Sequence, residues 1–141
     1  MIPVVFLDSD AIISSLLSST GAAYACTQSS SIQKYISTLS YTELAVVCKR
    51  LKIEQSKLKK LVASECDVSE IPLTNESLQQ RYKSFVYDPN DAHIIAGAVA
   101  TKARFLITYN LKHFNAELIK REFAIIVLTP AQLLQYLRSR A

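Results

Sequence analysis

The chain is predicted to be an α/β protein, a three-layer α/β/α sandwich around a central parallel sheet of four or five strands. Two features of the sequence predict this. Short β-rich runs, Val4-Val5-Phe6-Leu7, Phe105-Leu106-Ile107 and Ala124-Ile125-Ile126-Val127-Leu128, alternate with segments of helical periodicity, the pattern of βαβ units. The same runs are almost continuously apolar, as expected of strands covered on both faces. Composition agrees with a packed protein: half of the 141 residues are apolar and 20% are charged, unlike a disordered chain. The length suits one domain over 1–141.

In chain order, the first strand covers 4–7 and ends at Asp8. Helical patterns follow over roughly 10–18 and 22–32. Tyr35-Ile36-Ser37-Thr38-Leu39 is a poorer strand candidate, because two polar residues interrupt it. Helices are then expected over 42–50, 54–65 and 75–83. The segment 90–102 is apolar on nearly every helical face (Ile94, Ile95, Ala96, Ala98, Val99), so it belongs in the sheet's cover or in a subunit contact. After the strand at 105–107 the chain passes through Thr108-Tyr109-Asn110 into a helix start at "LKHF". A last strand covers 124–128 and a last helix 130–139. No internal repeat, linker or low-complexity tract interrupts this order.

Several function classes are excluded. Gly21 and Gly97 are the only two glycines, so glycine-rich phosphate loops and dinucleotide fingerprints are absent. Phosphate binding would need metal ions, basic side chains or helix ends. Cys26, Cys48 and Cys66 form no C-x-x-C pair and are expected as reduced, mostly buried thiols of a cytoplasmic protein. "MIPVVFLDSD" has no basic residue before its apolar run and two aspartates after it. That is wrong for a signal peptide, and no run reaches membrane-spanning length. Net charge is +4, and "KRLKIEQSKLKK" concentrates six basic residues against Glu54. Such a run is either a solvated helix face or a nucleic-acid contact, in which Lys49, Arg50 and Lys52, with Lys112 elsewhere, meet the phosphate backbone.

Four polar side chains fall at strand-to-helix junctions: Asp8, Glu43, Asp91 and Asn110. Each has an ordinary structural reading. Asp8 or Asp10 caps the next helix. Glu43 completes a capping box with Ser40. Asp88, Pro89 and Asp91 form a capped helix start with a reciprocal bond from Asp91. Asn110 caps "LKHF". In an open parallel sheet, however, the carboxyl ends of strands are where ligands bind. Carboxylates gathered there repel one another unless a cation sits between them, and hard oxygen donors suit Mg²⁺ or Mn²⁺.

With these stretches in view, "VFLDSDAII", "STLSYTELA", "DPNDAHIIAGAVATKARFLIT" and "ITYNLKHF", the sequence resembles the PIN-domain family of ribonucleases from residue 4 to about 128. "DPNDAHIIAGA" looks most like the PIN-like toxins related to VapC. The resemblance implies a PIN-like sheet flanked by helices, a site binding Mg²⁺ or Mn²⁺, and cleavage of RNA. It implies that Asp8, Glu43 and Asp91 are the family's three acids and metal ligands. It also implies that Asn110 stands where the family usually has a fourth acid. An amide carbonyl can ligate but brings no charge, so two-metal binding is put in doubt more than activity is. Asp10 could compensate in part and is an auxiliary residue, as is Thr108, whose hydroxyl can serve a ligand carboxylate or a phosphate. An Asn110→Asp change that strengthened cleavage would show that the amide tunes metal affinity. The resemblance further implies a cognate antitoxin and a homodimer, for which helices 10–18 and 90–102 have apolar surface to spare.

Other readings stay open at this stage. One is a weakened PIN-like module that binds RNA or protein without cutting, and another is a metal-dependent phosphatase or DNA nuclease. His93, two residues after Asp91, would lie about 200° around an α-helix, a poor position for a co-ligand. His113 is expected at the surface near the phosphate path. Tyr109 is either a packing residue or a platform for a base.

Overall fold

The computed structural model describes residues 2–140. Its five strands are β1 (Val4–Leu7), β2 (Gln33–Ser37), β3 (Asp67–Ser69), β4 (Phe105–Ile107) and β5 (Ile126–Leu128). All neighbours are parallel, in the order β3-β2-β1-β4-β5. The chain steps from β1 outward through β2 to β3, then returns to lay β4 on the other side of β1. The strand order therefore reverses between β1 and β4, which in an open parallel sheet is where a crevice opens at the carboxyl ends. Leu7 pairs with Ile107, so Asp8 and Thr108 face each other across that crevice. The Asp8 N–H donates to the Ile107 carbonyl at 2.9 Å, which closes the strand pair directly below them.

Period-2 alternation divides the core between two layers. Val5, Leu7, Phe105 and Ile107 point to one face. There they pack with α1 (Ser9–Leu17), α2 (Ala22–Gln28), α3 (Thr38–Arg50), α4 (Gln55–Glu65) and α8 (Pro130–Ser139). Phe6, Leu106 and Val127 point to the other face, under α5 (Asn75–Tyr82), α6 (Ala92–Ala100) and α7 (Ala116–Phe123). The expected three-layer sandwich is thus present, with five strands. In α6 every residue from 92 to 98 is buried. Gly97 is needed there because a Cβ would lie 2.4 Å from Cζ of Phe6. This helix spends its apolar surface inside the chain and has none to spare for a second copy, contrary to the sequence expectation.

Several boundaries differ from the sequence reading. β2 ends at Ser37, two residues earlier than expected, and α3 begins at once. The Ser37 hydroxyl accepts the Ser40 N–H at 3.0 Å, so Ser37, not Ser40, is the N-cap and Glu43 lies beyond the first turn. The polar strand β3 was not anticipated, and the helix expected to start at "LKHF" begins only at Ala116, after the 3-10 turn Leu111–His113. The run 124–128 is shortened because Ala124 ends α7 with a left-handed φ of 57°. Two other helices end similarly on lysine: Lys52 (φ 59°) and Lys102 (φ 55°) take the place glycine usually fills after a helix. Among the described residues, no helix is long and apolar enough to cross a membrane.

Candidate active site

β1 and β4 deliver Asp8 and Thr108 to the crevice, and the turn after β4 brings in Asn110. Asp8 is the N-cap of α1; its Oδ1 accepts the Ser9 N–H at 2.7 Å. Thr108 is fully buried, and its hydroxyl donates toward Asp8 Oδ2 at 2.9 Å and Asp10 Oδ2 at 3.2 Å. Asp10 Oδ2 also accepts the Tyr109 N–H at 3.0 Å and the Asn110 Nδ2–H at 2.8 Å. Asn110 precedes a short 3-10 turn, Leu111–His113, but its side chain makes no capping bond there. Asp8, Asp10, Thr108 and Asn110 are therefore one bonded group.

Glu43 and Asp91 belong to a second group on the same edge. Asp88 caps the 3-10 turn Pro89–Asp91 through the Asn90 N–H at 3.0 Å, which places Asp91 at the mouth of α6. The reciprocal bond expected from Asp91 does not form; its Oδ2 lies 3.7 Å from His113 Nδ1. His93, from α6, meets the Glu43 carboxylate through Nε2. Glu43 sits on α3, in the opposite helical layer, so this contact passes over the carboxyl edge of the sheet. A cleft of about 400 Å³ opens beside it, lined by Glu43, Asp91 and His93 with Thr42, Asn75, Gln79 and Asn90. His93 is a poor co-ligand with Asp91, as expected from its angle on the helix, but its pairing with Glu43 was not anticipated, because that partner lies on another helix. Its Nδ1 is buried without a hydrogen-bond partner.

Burial dominates the electrostatics of the edge. Burial pushes the Asp8 carboxyl up from 3.8 to about 7, with Asp10 and Asp91 adding to the rise and Thr108 and Ser9 opposing it. Asp10 is raised by burial despite its hydrogen bonds. Asp91 is raised by burial, then by Asp88 and Glu43, while His113 and His93 pull it down. Among the described residues, no Lys or Arg forms an ion pair with these acids. The donors are hard oxygens, which suit Mg²⁺ or Mn²⁺. The acids are not gathered into a closed cage, however. Among the described residues, no three His, Cys, Asp or Glu side chains stand close enough to hold a metal ion as they are. Glu43 is drawn onto His93, and Asp8 onto Ser9 and Thr108, which keeps the sequence-predicted trio apart.

The basic candidates are exposed: Lys49 and Arg50 in the last turn of α3, Lys52 just after it, and Lys112 two residues past Asn110. Arg50 follows Glu43 by seven residues, so it shares that helix face about 10 Å further along. Tyr109 is 44% exposed, at the lip of the crevice. Cys26 and Cys48 are buried, and burial pushes the Cys26 thiol up to about 11, so it is inert at neutral pH.

A family model described as a PIN domain matches residues 4–112. Comparison with curated proteins finds no match. Among solved structures, the chain is similar to VapBC2 from Rickettsia felis bound to a promoter DNA fragment. The match has 20% identity and a TM-score of 0.66, covering 89% of this chain and 98% of the other. A toxin-antitoxin complex from Klebsiella pneumoniae matches with 25% identity and a TM-score of 0.62, over 89% and 97% of the two chains. VapC20 of Mycobacterium tuberculosis, a sarcin-ricin loop cleaving toxin, matches with 14% identity and a TM-score of 0.54, over 84% and 95%.

Proposed function

The chain belongs to the PIN-domain family, and from that premise we propose that it is a metal-dependent endoribonuclease acting as the toxin of a toxin-antitoxin pair. The observation that carries the proposal is the pair of half-buried carboxylates, Asp8 and Asp10, at the point where strand order reverses, with Asp91 and Glu43 along the same edge and Asp8 raised to about 7 by burial. Asp8, Glu43 and Asp91 would hold Mg²⁺ or Mn²⁺, with the Asn110 carbonyl beside them. When bound, the ion supplies Lewis acidity to activate water and positive charge to offset the leaving oxygen.

The chain's own residues account for the remaining steps. Thr108, bonded to both aspartates, fixes the Asp8 carboxylate in place. His93 holds Glu43 at the edge of the cleft beside Asp91. Arg50, Lys49, Lys52 and Lys112 would attract the RNA backbone without reading sequence, while Tyr109 offers a ring on which an unpaired base can stack. The protein partners we assign are an antitoxin and a second copy of this chain, with the cytoplasm as the setting. Leu17 on α1 and Val46 on α3, 63% and 61% exposed, are among the apolar side chains open to them. A concentration-independent monomer in sedimentation would count against the homodimer.

A catalytically weakened module is the second reading, favoured by the amide at 110 and by the open spacing of the acids; it predicts RNA binding without cleavage. Induced expression of the chain alone separates the two. The nuclease reading expects growth arrest with fragmented cellular RNA, both lost in Asp91→Asn. Arrest with intact RNA, or fragmentation persisting in Asp91→Asn, would overturn it.

A further inference from the structure

Asp10 was expected to be no more than an auxiliary acid, yet one of its oxygens takes three hydrogen bonds, from Thr108 Oγ1, Tyr109 N and Asn110 Nδ2. The last of these, at 2.8 Å, fixes an ambiguity that amide side chains usually carry. An ionised carboxylate can only accept, so Asn110 must present its NH₂ group to Asp10, and its carbonyl oxygen must face away. The backbone of the same turn is anchored independently, because the Asn110 N–H donates to Thr108 Oγ1 at 3.0 Å. Thr108 in turn donates to Asp8 at 2.9 Å. The direction of the Asn110 carbonyl is thus set by Asp10, and its place in the crevice by the network that holds Asp8.

We propose that Asp10 and Asn110 form one composite element of the metal site, in which Asp10 supplies the negative charge and aims the Asn110 carbonyl oxygen as the ligand. Asp10 acts through Asn110 and is a positioning residue. The inference rests on the metal-dependent reading above. It also implies that an acid at position 110 weakens the site. In Asn110→Asp two carboxylates would face each other at hydrogen-bond distance, and one must take up a proton or swing away.

The test is calorimetric titration of the full chain with Mn²⁺, using wild type, Asp8→Asn, Asp10→Ala, Asn110→Ala and the double variant Asp10→Ala/Asn110→Ala. Circular dichroism verifies that each variant is folded. Asp8→Asn is expected to abolish binding. Asp10→Ala and Asn110→Ala should each weaken it by about tenfold to a hundredfold, the usual cost of losing a partner that orients a ligand. If Asp10 acts through Asn110 the two losses do not add, and the double variant should bind within about threefold of Asn110→Ala. Binding abolished in Asp8→Asn but unchanged in Asp10→Ala, or losses that add in the double variant, overturns the composite element alone. If wild type binds no more Mn²⁺ than Asp8→Asn, the metal reading falls and this inference with it.

Discussion

Replacing Asp8 by asparagine should make the metal-free protein more stable while removing its function, and the gain can be worked out in advance. Asp8 is raised from 3.8 to about 7, roughly three pKa units at about 1.4 kcal/mol each, so ionising it in the fold costs up to about 4 kcal/mol. The unfolded chain releases this proton near 3.8 and the folded chain only near 7. Between those values folding takes up a proton, so the Asp8 contribution to stability falls as pH rises through the window and levels off above it. From about pH 5 to about pH 8 that loss is about 2.5 kcal/mol. Asparagine avoids the cost without breaking the local bonds. Its carbonyl can accept the Ser9 N–H, and its NH₂ can donate to Thr108 Oγ1, leaving that hydroxyl's proton for Asp10. Urea unfolding in chelator should find Asp8→Asn more stable than wild type at both pH values, with the gap widening by about 2.5 kcal/mol toward the higher. Added Mn²⁺ should then stabilise wild type and leave the variant unchanged. A variant less stable than wild type at about pH 8, or a gap independent of pH, would refute the reasoning.

Three further outcomes follow from the packing. Gly97→Ala would drive a Cβ to within 2.4 Å of the fully buried Phe6 ring. It should lower the urea midpoint by the equivalent of about 1–3 kcal/mol, and an unchanged midpoint would mean that α6 can lift freely from β1. Ala124→Gly relieves the left-handed residue that ends α7 and should raise stability by about 1 kcal/mol; no gain would show that the position carries no strain. Lys34 is buried, with Nζ 2.7 Å from the Thr27 and Ser29 carbonyls and 3.1 Å from Glu65. Lys34→Met strands those acceptors and should cost about 3 kcal/mol, which thermal or urea unfolding would detect, whereas a neutral result would mean that water replaces the lysine.

The parts of this architecture that depend on apolar runs were legible in the sequence. β1 and β4 are buried on both faces, so their composition announces them, and with them came Asp8, Thr108 and Asn110 as strand-end residues. β3 was not legible because an edge strand needs no apolar run: Asp67 and Val68 are exposed, and their pairing to β2 is the only sign of a strand. The end of β2 was misplaced because Ser37, Thr38 and Ser40 can each cap a helix, and only the tertiary position of α3 selects Ser37. Pairing across the site was equally hidden. The bond between Asp10 and Asn110 joins residues a hundred positions apart, and Glu43 meets His93 from the opposite layer. The sequence shows which acids follow the strands but not which neighbours hold them, so it anticipated that Asp8, Glu43 and Asp91 converge, where the fold bonds Asp8 to Thr108 and Glu43 to His93 along one edge.

The central claim, that the carboxylates at the β1–β4 crevice hold a divalent ion to cut RNA, is tested most directly by incubating a mixed RNA pool with the purified chain. Mg²⁺, Mn²⁺ and chelator are compared for wild type and folded Asp91→Asn. The account predicts discrete fragments from wild type with either metal, none in chelator and none from Asp91→Asn. Cleavage that survives chelator or Asp91→Asn, or its absence from wild type under every condition, would contradict it.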